Sequence, residues 1–184
     1  MIRPQPMEKD RWVPEEEGRL VAEARKHPEA FVLLYVHYAR PVFRYLYSRV
    51  GAREEAEDLT AQTFLDALEA LPRYRDRGCF AAWLFAIARR KAVDHFRKPP
   101  SLPLEDLGPV ADAVDVPGEV MRRDEIARLR ALIRELPDEE QEWIRLHFTA
   151  GLNFREMSVL SGKSEDATKK AVYRLLAKLQ SRLE

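Results

Sequence analysis

The chain has 184 residues, 31 of them basic and 31 acidic, so its formal net charge is zero. No stretch approaches the roughly 18 uncharged apolar residues of a membrane span. The N-terminal MIRPQPMEKDRWVPEEEG has no apolar signal core, and the single cysteine, Cys79, excludes an intramolecular disulfide and a cysteine-based zinc cluster. A soluble, cytoplasmic chain without membrane insertion is expected. Neutrality at first argues against a polyanionic partner, which usually leaves a basic footprint.

Only seven residues are glycine, Ala, Leu, Glu and Arg are abundant, and no segment alternates strictly between apolar and polar. These features predict an all-α fold. After an N-terminal extension (1–18), residues 19–98 read as four helices. Leu20, Val21 and Ala24 mark the first. Pro28 suits the first turn of the second, which carries Phe31, Leu34, Tyr35, Tyr38, Val42, Tyr45 and Leu46 at helical spacing and ends at Gly51. The third runs from about Glu54 to Leu71, with Ala56, Leu59, Thr63, Phe64, Ala67 and Leu68 on one face. After a loop, the fourth runs from about Phe80 to Arg97, with Phe80, Trp83, Leu84, Ile87 and Ala88 on one face.

Five of the 12 prolines fall between Pro99 and Pro117, and residues 99–121 contain acids but no base. Interior prolines break helices, so this stretch reads as an extended acidic linker between two small helical domains. Residues 122–184 then read as four more helices. Ile126, Leu129, Leu132, Ile133 and Leu136 mark the first, and Pro137 starts the second. Asp138 with Gln141 resembles a capping pair, and Gly151 closes that helix. Asn153 with Glu156 is a capping signature for the third, and Gly162 fits its C-terminal turn. Ser164 caps the last helix, whose apolar positions run from Ala167 to Leu183.

The zero net charge hides segregation. Residues 54–69 carry six acids and no base. Residues 73–98 carry eight bases and two acids, and residues 153–183 carry seven bases and three acids. A charged run alone is as well explained by a solvated helix face. Two basic surfaces on two helical domains, however, fit a protein that grips a polyanion at two places.

Residues 153–183 form a helix-turn-helix pattern. Its second helix would present Ser164, Glu165, Asp166, Thr168, Lys169 and Lys170 to base edges, with Arg155 and Arg174 on phosphates. Between the third and fourth helices, the polar loop Arg75-Asp76-Arg77-Gly78-Cys79 precedes an aromatic-rich basic segment, a setting for capturing an unpaired base. Cys79 reads either as a redox thiol or as a small side chain at a helix start. There is no phosphate-binding glycine loop and no metalloprotease motif, and the four histidines are scattered on different helices. No catalytic group, metal, cofactor or small-molecule substrate is expected.

These segments resemble a known family. Residues 30–98, with AEDLTAQTFL at 56–65, YRDRGCF at 74–80 and FAAWLFAIARRKAVDHFRK at 80–98, are similar to region 2 of bacterial extracytoplasmic-function (ECF) sigma factors. Residues 129–179 resemble region 4 of the same family. The resemblance implies a promoter-specificity subunit rather than an enzyme, with core RNA polymerase, promoter DNA and a probable anti-sigma factor as partners. It places Asp58, Leu59, Gln62 and Phe64 on the β′ clamp helices of polymerase, and region 4 near the β flap. It assigns the −10 element to Arg75, Asp76, Arg77, Gly78, Cys79 and Phe80, with Arg89, Arg90 and Lys91 on nearby phosphates. The −35 element falls to the helix that begins at Ser164, and the linker to the polymerase's RNA path. Lys163 and Thr168 stand where the family usually has apolar residues, and Ala171 where it commonly has a base, which implies looser packing around that turn. The alternative is a stand-alone helix-turn-helix regulator that does not bind core polymerase.

Overall fold

In the computed structural model, which describes residues 14–75, 78–97 and 120–183, the helical periodicity becomes eight α-helices, with no strand among the described residues. They are α1 (Pro14–Lys26), α2 (Phe31–Val50), α3 (Arg53–Ala70), α4 (Phe80–Arg97), α5 (Val120–Arg134), α6 (Asp138–Ile144), α7 (Phe154–Ser161) and α8 (Glu165–Leu183). The linker expected between the two halves lies largely outside the described residues, as do residues 1–13 of the expected extension.

Several helix ends differ from expectation for local reasons. α1 begins at Pro14, inside the expected extension, because Pro suits a first turn and Glu15, Glu16 and Glu17 sit at the positive end of the helix dipole. Pro28 opens a 3₁₀ turn (Pro28–Ala30) rather than α2 itself. Asp138 does not cap α6, where Pro137 holds the cap position without a side-chain bond. Gln141 instead turns back, and its side-chain amide donates to the carbonyls of Arg134 and Leu136, closing the end of α5. The helix expected to run on to Gly151 leaves α geometry after Ile144 and continues as a π-helical turn, Arg145–Thr149.

The inward faces are mostly the ones the periodicity marks, but Tyr35 of α2, Leu68 of α3 and Ile126 of α5, expected among the apolar positions, are exposed. Leu34, Val42, Tyr45 and Leu46 of α2 pack with Phe64 and Ala67 of α3 and with Leu84, Phe85 and Ala88 of α4. Tyr45 meets Phe85 edge-on at 5.5 Å, and Phe31 meets Phe64 at 6.2 Å. Beyond residue 120, Leu132, Leu136, Trp143, Leu146, Leu152, Met157, Val172, Leu175 and Leu179 form the interior. Each large apolar side chain fully buried this way contributes about 1.5–3 kcal/mol. The two groups of helices also pack on each other, α4 against α7 and α2 against the π-turn, so one continuous apolar cluster runs through both.

Candidate functional site

α3 divides cleanly between core and surface. Of the four residues that resemblance places on polymerase, Leu59 and Phe64 are buried, whereas Asp58 and Gln62 are exposed. The buried pair therefore fixes the pose of α3, and the exposed pair forms its surface. Leu65, 61% exposed, and Leu68 lie on the same outward side, with Glu69 beside them. Tyr35 of α2 packs edge-on against Phe64 at 4.8 Å, and Val32 and Val36 of α2 are likewise exposed. An acidic stripe thus borders an exposed apolar patch. Charge counting misses that patch, and helical spacing places Leu68 on the inward face, although an outward Leu65 on an otherwise polar face is visible in the sequence.

The segment between α3 and α4 carries the expected −10 residues. Arg75 is exposed, and Asp76 and Arg77 lie outside the described residues. Gly78 adopts φ +68°, a left-handed turn that side chains disfavour. Cys79 and Phe80 are buried. Phe80 closes an aromatic cluster with Tyr74 (5.7 Å) and Trp83 (5.4 Å), and Tyr74 meets Trp83 at 4.7 Å. These aromatics build the floor of the loop. Along α4, Arg90 and Lys91 both reach Asp66 of α3, at 3.4 and 2.7 Å, and His95 lies 3.1 Å from Glu55. The basic face is partly neutralised by the acidic helix beside it.

The helix-turn-helix is built as its capping residues specify. Asn153 Oδ1 accepts from the Glu156 amide at 2.8 Å, and Glu156 Oε2 accepts from the Asn153 amide at 3.0 Å, a complete capping box. Gly162 turns the chain at φ +68°. Ser164 Oγ accepts from the Ala167 amide at 3.2 Å and starts α8. Glu165, Asp166, Lys169, Lys170 and Arg174 are exposed along the outer face of α8, and Tyr173, also exposed, joins them one turn on from Lys169 and Lys170.

Thr168, expected at base edges, is fully buried, and its Oγ1 donates to the Ser164 carbonyl at 3.0 Å. The hydroxyl is satisfied within the helix, so a polar residue fits this site without loosening the turn. Lys163, the other apparent misfit, lies 5.3 Å from the centroid of the Trp143 ring and pairs with Glu139. Its charge therefore finds two partners at this turn, an aromatic ring and a carboxylate.

A polar cluster joins the two halves. Glu142 of α6 is 8% exposed. Its Oε1 accepts from Tyr45 Oη at 2.7 Å, and its Oε2 accepts from Arg49 Nη1 at 2.6 Å. Arg89 Nε lies 3.8 Å from Oε1, and Arg145 Nη1 lies 3.8 Å from Oε2. Burial and then Glu142 push the Tyr45 phenol up. Burial pulls the Arg49 guanidinium down, but Tyr45 and Glu142 outweigh it and hold Arg49 above its ordinary value. Burial, and then the neighbouring Arg49, lower Arg145. Nearby, Arg155 of α7 reaches the Gly78–Cys79 turn, where a Cβ added at Gly78 would lie 3.5 Å from Arg155 Nη2. Burial pushes the Cys79 thiol up, against the opposing pull of Arg155. Neither Glu142 nor the contact between Arg155 and the loop follows from helical periodicity, because both depend on how the halves meet.

Among the described residues no cluster of His, Cys, Asp and Glu is arranged to hold a metal, and no helix is long and apolar enough to cross a membrane. Residues 34–99 match sigma-70 region 2. The chain is 37% identical over 160 residues to the ECF RNA polymerase sigma factor BldN of Streptomyces coelicolor, an alignment that covers 82% of this chain and 59% of BldN. It is 33% identical over 152 residues to the ECF RNA polymerase sigma factor SigD of Mycobacterium tuberculosis, covering 77% of this chain and 71% of SigD. Its fold is similar to that of CnrH, solved in complex with the cytosolic domain of CnrY, with a TM-score of 0.65 and 24% identity over 90% of this chain and 95% of that one. An acidic helix with an apolar margin, two basic faces and a capped helix-turn-helix thus coincide with extended sequence similarity, and the chain belongs to the ECF sigma factors of RNA polymerase.

Proposed function

We propose that this sigma factor brings core RNA polymerase to its promoters through three surfaces. The outward face of α3, with Asp58 and Gln62 and the apolar margin of Leu65, Leu68, Val32 and Val36, docks on polymerase. An acidic face with apolar neighbours suits a basic, amphipathic partner helix. The loop at 74–80 takes up an extruded base of the −10 element, and Arg89, Arg90 and Lys91 hold the adjoining phosphates. The outer face of α8 enters the major groove at −35, where Lys169, Lys170 and Arg174 meet the acidic duplex and Tyr173 adds an aromatic contact.

The reading is carried by the segregation of charge on one family-assigned fold, with an exposed acidic α3 and an exposed basic α8 on the same chain. The protein acts in the cytoplasm as a specificity subunit and does not itself catalyse a reaction. CnrH is solved with the cytosolic domain of a second protein, and a comparable anti-sigma partner would hold this chain inactive by covering the same surfaces.

Reconstitution tests the reading. The purified chain is mixed with bacterial core RNA polymerase and the source genome's DNA, and transcript 5′ ends are mapped. The expected result is co-elution with polymerase and a set of start sites absent without the chain. Failure to co-elute at low salt would sink it.

A further inference from the structure

We propose that α1 braces the loop between α3 and α4, with Glu17 as the positioning residue that holds the start of α4 in place for the base this loop takes up. α1 (Pro14–Lys26) lies ahead of residues 34–99, which match sigma-70 region 2, so the family match gives it no part. The proposal rests on the −10 assignment of the loop made above. The brace itself rests on contacts that hold whatever the loop binds.

Helical spacing puts Glu17, Val21 and Ala24 on one stripe of α1, and all three are buried. A carboxylate in an apolar stripe is destabilising unless a partner is in place. An apolar residue at position 17 would serve packing alone. Glu17 instead accepts a hydrogen bond from Tyr38 Oη of α2, and Tyr38 is itself buried. The Tyr38 ring lies 5.7 Å from that of Phe80, the first residue of α4. Phe80 in turn packs against Tyr74 and Trp83. Glu17 thus orients a ring that sets the aromatic floor of the loop.

α1 meets the loop at both of its ends. Near the C-terminus of α1, Arg25 donates to the Pro72 carbonyl at 3.3 Å, in the 3₁₀ turn Leu71–Arg73 that leads into Tyr74. About 12 Å back along the helix, Glu17 reaches the other end through Tyr38 and Phe80. Its charge is felt at the Cys79 thiol, which burial pushes up first and Glu156 and Glu17 push further, against Arg155. A loop held at both ends keeps its pose before DNA arrives, so less ordering remains to be done when an extruded base binds.

Cys79, the sole cysteine, is buried next to Phe80 and reports the pose of the loop in the free full-length chain. Glu17→Ala and Tyr38→Phe break the bond, and Glu17→Gln keeps an acceptor for the Tyr38 hydroxyl. Val21→Ala loosens the packing of α1 without touching the bond. Circular dichroism and urea melts verify that each variant is folded. The brace predicts that Glu17→Ala and Tyr38→Phe raise the rate at which a thiol reagent modifies Cys79 about fivefold, whereas Glu17→Gln stays within about twofold of the parent. Opening is then followed with core polymerase on a promoter duplex mapped with the parent and carrying a fluorescent adenine analogue in its −10 element. Glu17→Ala and Tyr38→Phe should slow opening about fivefold while co-eluting with polymerase like the parent. Val21→Ala should leave both rates within about twofold of the parent's even where its urea midpoint falls as far. Should Glu17→Ala fail to fold, Tyr38→Phe, which keeps the ring against Phe80, decides. Unchanged thiol rates in the folded variants, or equal effects of Val21→Ala, would overturn the brace. Faster thiol modification with opening at the parent's rate would overturn the positioning role. Failure of the sigma-factor reading would appear separately, as a parent that neither co-elutes with polymerase nor opens a promoter, while the thiol rates still decide the brace.

Discussion

The basic faces of α4 and α8 are similar in charge and different in how the charge is held. On α4, Arg90 and Lys91 share Asp66, His95 meets Glu55 and Arg89 faces Glu142. On α8, Lys169 and Lys170 have no carboxylate within ion-pair reach among the described residues, and Arg174 bonds only the Lys170 carbonyl. The α4 cations are positioned by their own chain and partly neutralised. At the start of α8, Lys169, Lys170 and Arg174 are left to solvent, whereas Lys178 and Arg182 near its end pair with Glu140 and Glu135. A face whose charges are already paired gains less from meeting phosphate but is ordered beforehand, whereas a free face gives more binding and a steeper salt dependence.

This contrast can be broken at either face. Lys169→Ala combined with Lys170→Ala has the largest expected effect. It should lower the slope of log affinity against log salt by about two and cut duplex binding roughly tenfold, with stability changed by less than about 0.5 kcal/mol. An unchanged slope in a salt titration would remove α8 from the interface. Asn153→Ala removes half of the capping box and should destabilise the helix-turn-helix by about 1 kcal/mol, read as a lower urea midpoint. Asp66→Asn frees Arg90 and Lys91. Because Arg90 is exposed while Lys91 and Asp66 are half-buried, stability should fall by about 1 kcal/mol while duplex binding tightens a few-fold. Weaker binding after Asp66→Asn would mean that Asp66 orders the α4 face more than it neutralises it. Lys163→Met gives the smallest change, about 0.5–1 kcal/mol of stability from the lost Trp143 contact, measurable by thermal melting.

Much of the fold was legible because it is local. The positions of α2, α3, α4, α7 and α8 follow from apolar spacing and from Asn153, Gly162 and Ser164 at their ends. The surfaces were legible only in part. Periodicity already puts Leu59 and Phe64 on the inward face of α3, while motif resemblance names them alongside Asp58 and Gln62. The structure shows that such a motif mixes residues that touch the outside with residues that hold the helix in place. Thr168 teaches the same lesson, since a short polar side chain satisfied by its own helix backbone is compatible with complete burial. The π-turn at Arg145–Thr149, the backward reach of Gln141 and the Glu142 cluster had no sequence signal. The Glu142 cluster depends on packing between segments far apart in the chain, whereas Gln141 reaches back only five and seven residues.

The central claim is a division of labour between an acidic polymerase-facing helix and a basic DNA-facing one, and a paired binding measurement tests it most directly. Asp58→Arg and the Lys169→Ala/Lys170→Ala variant are each assayed for co-elution with core RNA polymerase and, separately, for duplex binding by the free chain. The account predicts that Asp58→Arg weakens polymerase binding at least tenfold and leaves duplex binding intact, while the double lysine variant does the reverse. Retention of full polymerase affinity by folded Asp58→Arg, or loss of polymerase binding by the lysine variant, would contradict it.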